Sequence, residues 1–184
     1  RTLQKIQQRS CYKKNNFSVP FTNKYNQTFE YCFVLSKGKK KTFNPIIDRP
    51  NKKAGKSGGI QSITEKDGTR TKRKAKIIND FGKRHNVWEY NTGMGHSTKD
   101  KGVFEHPAIF PEQLANDHII SWSNEGDLVY DCFMGSGTTA KMALLNNRKF
   151  IGSEISEEYC KIAETRIKEC GGLFFNSFQT ELSN

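Results

Sequence analysis

Residues 128–155, LVYDCFMGSGTTAKMALLNNRKFIGSEI, limit the possible folds of this chain more than any other stretch. Leu128, Val129 and Tyr130 form a short apolar run that ends at Asp131, and Phe133, Gly135, Ser136 and Gly137 follow. Glycine reaches positive φ without a Cβ clash and lets another group come close to the backbone. Beyond the turn, Ala140, Ala143 and Leu144 recur at i, i+3 and i+4, so residues 138–146 read as a helix with one packed face. Phe150 and Ile151 open a second apolar run that reaches Glu154. The pattern predicts a β-α-β unit with a glycine turn after its first strand. Its two acids, Asp131 and Glu154, stand 23 positions apart at the strand ends.

Three readings fit such a unit. Gly135-x-Gly137-x-x-Ala140 matches a dinucleotide fingerprint, with Glu154 about 20 residues on, where a ribose-binding acid belongs. An acid directly before the turn suits a pyrophosphate poorly, because like charges would lie close together. It suits a ligand that carries an ammonium group. S-adenosylmethionine (SAM) has an ammonium, a sulfonium and a ribose, so each of the two acids would find a partner. A full dinucleotide site also calls for a second mononucleotide half, and 30 residues follow Glu154. The third reading is a close-packed strand-to-helix turn with no ligand.

The flanking residues narrow the choice. His106 to Leu114 reads HPAIFPEQL, then come the block 126–139 (GDLVYDCFMGSGTT), the block 150–155 (FIGSEI) and Tyr159. Together these resemble the C-terminal half of a SAM-dependent amino-group DNA methyltransferase of the permuted β-class, in which an HPxxxP block precedes a D-P-F-x-G-S-G-T-T turn. Cys132 stands where that family usually has proline. The resemblance extends to residues 29–39 and 86–90. It implies an α/β chain, a partial Rossmann-like SAM-dependent methyltransferase fold in three αβα layers with an inserted basic target-recognition region. It also implies SAM as cofactor, held by His106, Pro107, Ile109, Asp131, Phe133, Gly135, Ser136, Gly137, Thr138, Glu154 and Ile155. The 106–111 loop, stiffened by Pro107 and Pro111, is expected to close over the methionine end.

Charge supplies an independent pointer. The chain carries +11, and residues 36–86 hold 16 Lys or Arg against four acids, Asp48, Glu65, Asp67 and Asp80. That segment nets +12, so the remainder is close to neutral. A charge run is commonly a solvated surface, but this one is interrupted by glycines and lies between methyltransferase-like blocks. By resemblance it is the target-recognition region. Lys39, Lys40, Lys41, Lys52, Lys53, Lys56, Arg70, Lys72, Arg73 and Lys74 are its candidate contacts to double-stranded DNA. Cations on phosphates give affinity and steep salt dependence but carry no sequence information. The expected division is a methyltransferase-sheet part over 1–43, the basic insert over 44–100 and a SAM-binding region over 101–184.

The rest of the chain is read in the same way. Residues 1–28 are polar and read as loop, while residues 29–35 read as a buried strand. Residues 87–90 read as a short strand with Trp88 packed inside. Pro111 suits the first turn of a helix with Leu114, Ala115, His118, Ile119 and Trp122 on its stripe. Ser156 can cap a helix with Glu157 and Glu158 in its first turn and Tyr159, Ile162, Ala163 and Ile167 on its buried face; Gly171 and Gly172 stop it, and residues 173–178 read as a short strand. His85 and His96 read as surface side chains. The five cysteines show no metal-ligand spacing and read as buried free thiols in a reducing compartment. No apolar run of 18 residues occurs, so no membrane span is expected; no signal peptide is visible, and the ligand spacing gives no reason to expect a metal centre. The setting implied is the cytoplasm of a prokaryote or a phage-encoded protein.

One family feature does not occur. The catalytic [D/N/S]-P-P-[Y/F/W] tetrapeptide needs adjacent prolines, and the five here, at 20, 45, 50, 107 and 111, are separate. In the permuted order the tetrapeptide lies before residue 29. The resemblance therefore implies an N-terminally truncated portion, with the catalytic motif upstream of Arg1, inactive alone and left with an open sheet edge beside residues 128–131. The alternatives are a non-catalytic basic DNA-binding module with a methyltransferase-like fold and, more remotely, an NAD-dependent oxidoreductase.

Overall fold

The computed structural model describes residues 4–15, 23, 25, 27–74, 76–93, 95–100 and 109–170. In chain order the elements are β1 (Gln4–Lys14), β2 (Phe29–Lys37), β3 (Ile47–Pro50), β4 (Ile60–Thr64), β5 (Arg70–Lys74), β6 (Phe81–Lys83), β7 (Val87–Tyr90), α1 (Glu112–Trp122), β8 (Leu128–Asp131), α2 (Thr138–Leu145), β9 (Lys149–Gly152) and α3 (Glu157–Glu169). They form two compact units. Arg1–Asn44 and Asn86–Asn184 make one, and Pro45–His85 makes the other.

The first unit contains the strand-turn-helix-strand that the spacing predicts. β8 and β9 run parallel in the register Leu128↔Lys149 to Asp131↔Gly152, joined by α2. Ala115 and Ile119 of α1 pack on Met142 and Ala143 of α2, with Val129 and Phe150 beneath. A second cluster joins Met134 and Ala140 to Ala163 and Ile167 of α3. Ile167 is fully buried, which stabilises the fold by about 1.5–3 kcal/mol relative to an exposed side chain. α3 begins where the sequence indicates, with the Ser156 hydroxyl accepting the Tyr159 N–H.

A second sheet, in the order β2-β1-β7, corrects two expectations. Residues 1–28 read as loop, yet β1 is the central strand, antiparallel to β2 and parallel to β7. Among its described side chains only Ser10 and Tyr12, at alternate positions, are buried. One face of the strand packs and the other is polar, so its alternation is faint in sequence. Tyr12 joins Trp88, Tyr90 and Leu114 in a core cluster, which ties this sheet to α1. β2 is a strand as expected but not a buried one. Phe29, Tyr31, Phe33 and Leu35 are 37–66% exposed, because β2 is an edge strand whose alternate residues share an uncovered face. The rings of Phe29 and Tyr31 meet edge to face at 5.2 Å, and those of Tyr31 and Phe33 stack at 6.2 Å.

Among the described residues the outer strand edges of these sheets are unpaired, including that of β2 away from β1 and that of β8 away from β9. The second is the open edge expected beside residues 128–131. A cleft of about 590 Å³ in the first unit is lined by Gln7 of β1, Val34, Leu35 and Ser36 of β2, Trp122 of α1 and Leu128 of β8.

The Pro45–His85 unit is two antiparallel ribbons, β3–β6 and β4–β5. Among its described side chains none is fully buried. Backbone pairing and polar contacts hold it, including a 2.5 Å pair between Arg84 and Asp48. His106, Pro107, Gly171, Gly172 and residues 173–178 lie outside the described residues.

Candidate functional site

The site is built at the C-terminal ends of β8 and β9. Asp131 closes β8, and its Oδ1 accepts the Phe133 N–H at 3.0 Å, which starts the turn. Its Oδ2 takes no hydrogen bond from a described residue. The Met134 N–H donates to the Ser153 carbonyl at 3.0 Å, pinning the turn to the segment after β9, and the buried Met134 side chain anchors it below. Gly135 and Gly137 have φ of 53° and 80°. Gly137 is glycine for a second reason: a Cβ there would lie 2.9 Å from the Ala163 Cβ and 3.1 Å from its Cα. The turn therefore serves the packing of α3 as well as any ligand. Helix α2 starts directly after Gly137, so its first N–H groups and the positive end of its dipole border the turn.

Glu154 folds back over this turn. Its Oε2 accepts the Gly135 N–H at 2.8 Å, and its Oε1 accepts the N–H groups of Ile155 and Ser156, both at 3.0 Å. The two acids singled out in sequence thus stand at neighbouring strand ends around one glycine turn. Phe133 and Ile155, on either side of it, are 86% and 100% exposed. Ser136, Gly137 and Thr138 are buried, and Ile109 is half-buried.

Beneath the turn is a group of charges that the sequence reading missed. Arg166 of α3 is 2% exposed. Its Nη1 donates to the Ser136 carbonyl (2.6 Å), the Ser136 hydroxyl (3.2 Å) and the Thr138 hydroxyl (3.1 Å). Its Nε reaches Asp100 and its Nη2 reaches Glu112, both at 2.8 Å. Lys141 of α2 donates to the same two acids at 2.7–2.8 Å. Burial opposes the charge on Asp100, but hydrogen bonds from Lys141 and Arg166 hold its carboxyl below the usual carboxylate range. Burial likewise disfavours the Lys141 ammonium, and its bonds to Asp100 and Glu112 win and raise its pKa. A signal existed in sequence: Arg166 falls on the stripe 159, 162, 163, 166, 167 of α3, where a cation must have a buried partner.

The basic candidates divide by surroundings. In the β4–β5 ribbon, cross-strand pairing puts Ser62, Thr64, Arg70 and Lys72 on one face. Arg73 lies on the other, 3.3 Å from Glu65, which also accepts from Thr71. Lys52, Lys53 and Lys56 are exposed in the turn region before β4. Lys39, Lys40 and Lys41 are exposed in the first unit, with the Lys40 ammonium 4.3 Å from the Phe43 ring. The side chain of Lys74 is outside the description. Among the described residues no three His, Cys, Asp or Glu gather as a metal-binding group. No described helix is long and apolar enough to cross a membrane.

Comparison with known proteins decides the family. The DNA methylase family model, which covers N6 and N4 methyltransferases, matches residues 4–165. The chain belongs to the DNA methylase family. An orphan methyltransferase of Bacillus amyloliquefaciens, M.BamHII, is 55% identical over 159 residues, which are 85% of this chain and 60% of that protein. Among solved structures, the M1.HpyAVI–SAM complex aligns with a TM-score of 0.57 at 20% identity, covering 89% of this chain and 62% of that one. The cytosine-N4-specific PvuII DNA methyltransferase aligns with a TM-score of 0.54 at 18% identity, covering 86% and 49%. These likenesses establish the α/β methyltransferase fold. The chain spans about three fifths of the length of the M.BamHII relative. The DNA methylase blocks read in sequence, residues 128–155 and their flanks up to Tyr159, fall inside the matched range.

Proposed function

We propose that this DNA methylase chain forms the SAM-binding and DNA-recognition part of a site-specific DNA methyltransferase that methylates the exocyclic amino group of adenine or cytosine. The observation that carries the reading is the pairing of Asp131 and Glu154 at adjacent parallel strand ends around the Gly135–Gly137 turn. SAM supplies a methyl group activated on a sulfonium. The residues present fit its chemistry. Asp131 keeps one carboxylate oxygen for an ammonium, and Glu154 presents a carboxylate to ribose hydroxyls. The glycines allow close approach at Gly135, Ser136, Gly137 and Thr138, and the exposed Phe133 and Ile155 offer apolar surface to a purine. The loop with His106, Pro107 and Ile109 is assigned to the methionine end. Such a site would orient the donor and exclude water, which is the protein's main contribution to a direct displacement.

The DNA partner is assigned to the basic residues of 36–86, most of them in the insert bounded at 44–100, with Lys39, Lys40 and Lys41 at the end of the 1–43 region that precedes it. Arg70 and Lys72, on an open ribbon face with no acid beside them, are its strongest members. A two-stranded ribbon is of a size that a major groove admits. The setting is the cytoplasm of a prokaryote or a phage-infected cell. Isothermal titration with SAM, with NAD as control, tests the cofactor assignment; tight binding of NAD in preference to SAM overturns it. A non-catalytic DNA-binding module is the second reading, favoured by the lack of adjacent prolines in residues 1–184. Transfer of labelled methyl to duplex DNA by the protein that carries this chain separates the two.

A further inference from the structure

The buried charges under the turn do more than fill space. Arg166 makes five hydrogen bonds, and three end on Ser136 and Thr138, the residues on either side of Gly137. One of these, at 2.6 Å, is to the main-chain carbonyl of Ser136. A guanidinium that holds a carbonyl of the turn directly restrains which way the Ser136–Gly137 peptide faces. Its other two bonds go to Asp100 and Glu112, which stand just before and just after residues 101–111 in the chain. Lys141, on the helix that leaves the turn, holds the same two acids. Two cations on α2 and α3 and two anions from the 98–112 region therefore meet under Ser136.

The position of the cluster is specific. Arginine presents several donors in a rigid planar fork, and this one serves two carboxylates, two hydroxyls and a carbonyl at once. Lysine has three donors on a single point and cannot reproduce that set. A buried ion cluster of this kind is weak grounds for extra stability, since apolar residues of similar volume often do as well. A geometric role accounts better for three of its five bonds converging on one turn.

From this geometry we infer that Arg166 is a positioning residue for the cofactor turn, holding the Ser136–Gly137 peptide in its ligand-ready orientation, with Asp100 holding Arg166. The inference rests on the assignment of that turn to SAM. Arg166 itself touches no reacting atom and acts through Ser136 and Thr138.

The test uses the full protein that carries this chain, its Arg166→Lys and Arg166→Met variants, and Asp100→Asn as a milder change at a distance from the turn. Binding of SAM and of S-adenosylhomocysteine is titrated at a temperature where circular dichroism shows each variant folded. Duplex DNA binding is measured in parallel. Arg166→Met is expected to raise the Kd for both cofactor forms tenfold or more and Arg166→Lys by a smaller factor, with DNA affinity unchanged within twofold. In a methylation assay the KM for SAM rises while the KM for DNA holds. Asp100→Asn shifts the SAM Kd in the same direction. If Arg166→Met does not fold, Arg166→Lys and Asp100→Asn decide the matter. A folded variant whose thermal stability falls but whose SAM affinity stays within twofold of the parent overturns the positioning role and leaves the cofactor assignment standing. Failure of the parent to bind SAM removes the assignment and the inference together.

Discussion

Gly137→Ala tests the structure of the turn most directly, because its cost follows from two separate features. The residue sits at φ 80°, where an L side chain costs roughly 1–2 kcal/mol. The added methyl would also lie 2.9 Å from the Ala163 Cβ and 3.1 Å from its Cα. Neither atom belongs to the far end of a flexible side chain, and Ala163 is fully buried on α3. Forcing an extra methyl into a packed interior costs roughly 1–3 kcal/mol. Together the substitution should destabilise the fold by about 2–5 kcal/mol. Urea unfolding of the protein that carries this chain gives the number as a change in midpoint at constant slope. The double variant Gly137→Ala/Ala163→Gly separates the causes. Removing the Ala163 methyl clears the contact but leaves the backbone strain, and the new helix glycine itself costs about 1 kcal/mol. The cycle should therefore show a favourable coupling on the order of 1 kcal/mol or more between the two sites. A Gly137→Ala variant that loses under about 1 kcal/mol, or a cycle with no coupling, would falsify the account of helix α3 packed against the turn.

Asp131→Ala and Glu154→Gln are each expected to weaken SAM binding by about 1.5–3 kcal/mol, roughly ten- to hundredfold, through loss of a charge-assisted partner; titration that finds both affinities unchanged in folded proteins removes those residues from the site. Arg70→Ala/Lys72→Ala should lower the slope of log K against log salt for duplex DNA by about 2, and Arg73→Ala by about 1 or less, since Arg73 already has Glu65 beside it; equal effects from the two faces would count against the open face as the DNA-binding one. Asp100 has its pKa depressed on folding, so its contribution is present above the ordinary carboxylate value near about 4 and is lost as pH falls through the lower folded value. Asp100→Asn should flatten that acid limb of a stability-against-pH curve, whereas an unchanged limb places the acid sensitivity elsewhere. The open β2 and β8 edges predict that residues 1–184 alone self-associate, seen as a sedimentation coefficient that rises with concentration; a concentration-independent monomer would show that the edges are protected.

How much of this was legible in the sequence depends on how local each cause is. The β8-α2-β9 unit could be read because its signals lie within a few residues of one another: an apolar run, an acid, two glycines and an i, i+3, i+4 stripe. Ser156 as a cap and the packed face of α3 were readable for the same reason. β1 was not. Its partners are β2, some twenty residues away, and β7, more than seventy away, and only those neighbours turn a polar run into a central strand. Burial of β2 was misjudged for the converse reason. An apolar strand is buried only if something covers it, and the covering is a property of the assembled sheet rather than of the residues 29–35.

The Arg166 cluster shows the same limit at the site itself. Asp100 and Arg166 are 66 positions apart, and Glu112 and Arg166 are 54 apart. No spacing rule links such residues, though a cation on the stripe that also carries Ala163 and Ile167 signals that a partner must exist. Sequence thus located the groups that would face a ligand, since these crowd around one glycine turn. It did not locate the groups that hold the turn, since these come from three separate segments and meet only when α1, α2 and α3 pack. Electrostatics follows the same division. The cations of the basic ribbon could be counted in advance, but only the strand register separates Arg70 and Lys72 from Arg73, placing one pair on an acid-free face and the third residue against Glu65. A charge count therefore bounds how strongly such a segment attracts a polyanion, while the pairing of its strands decides which cations are left to meet one.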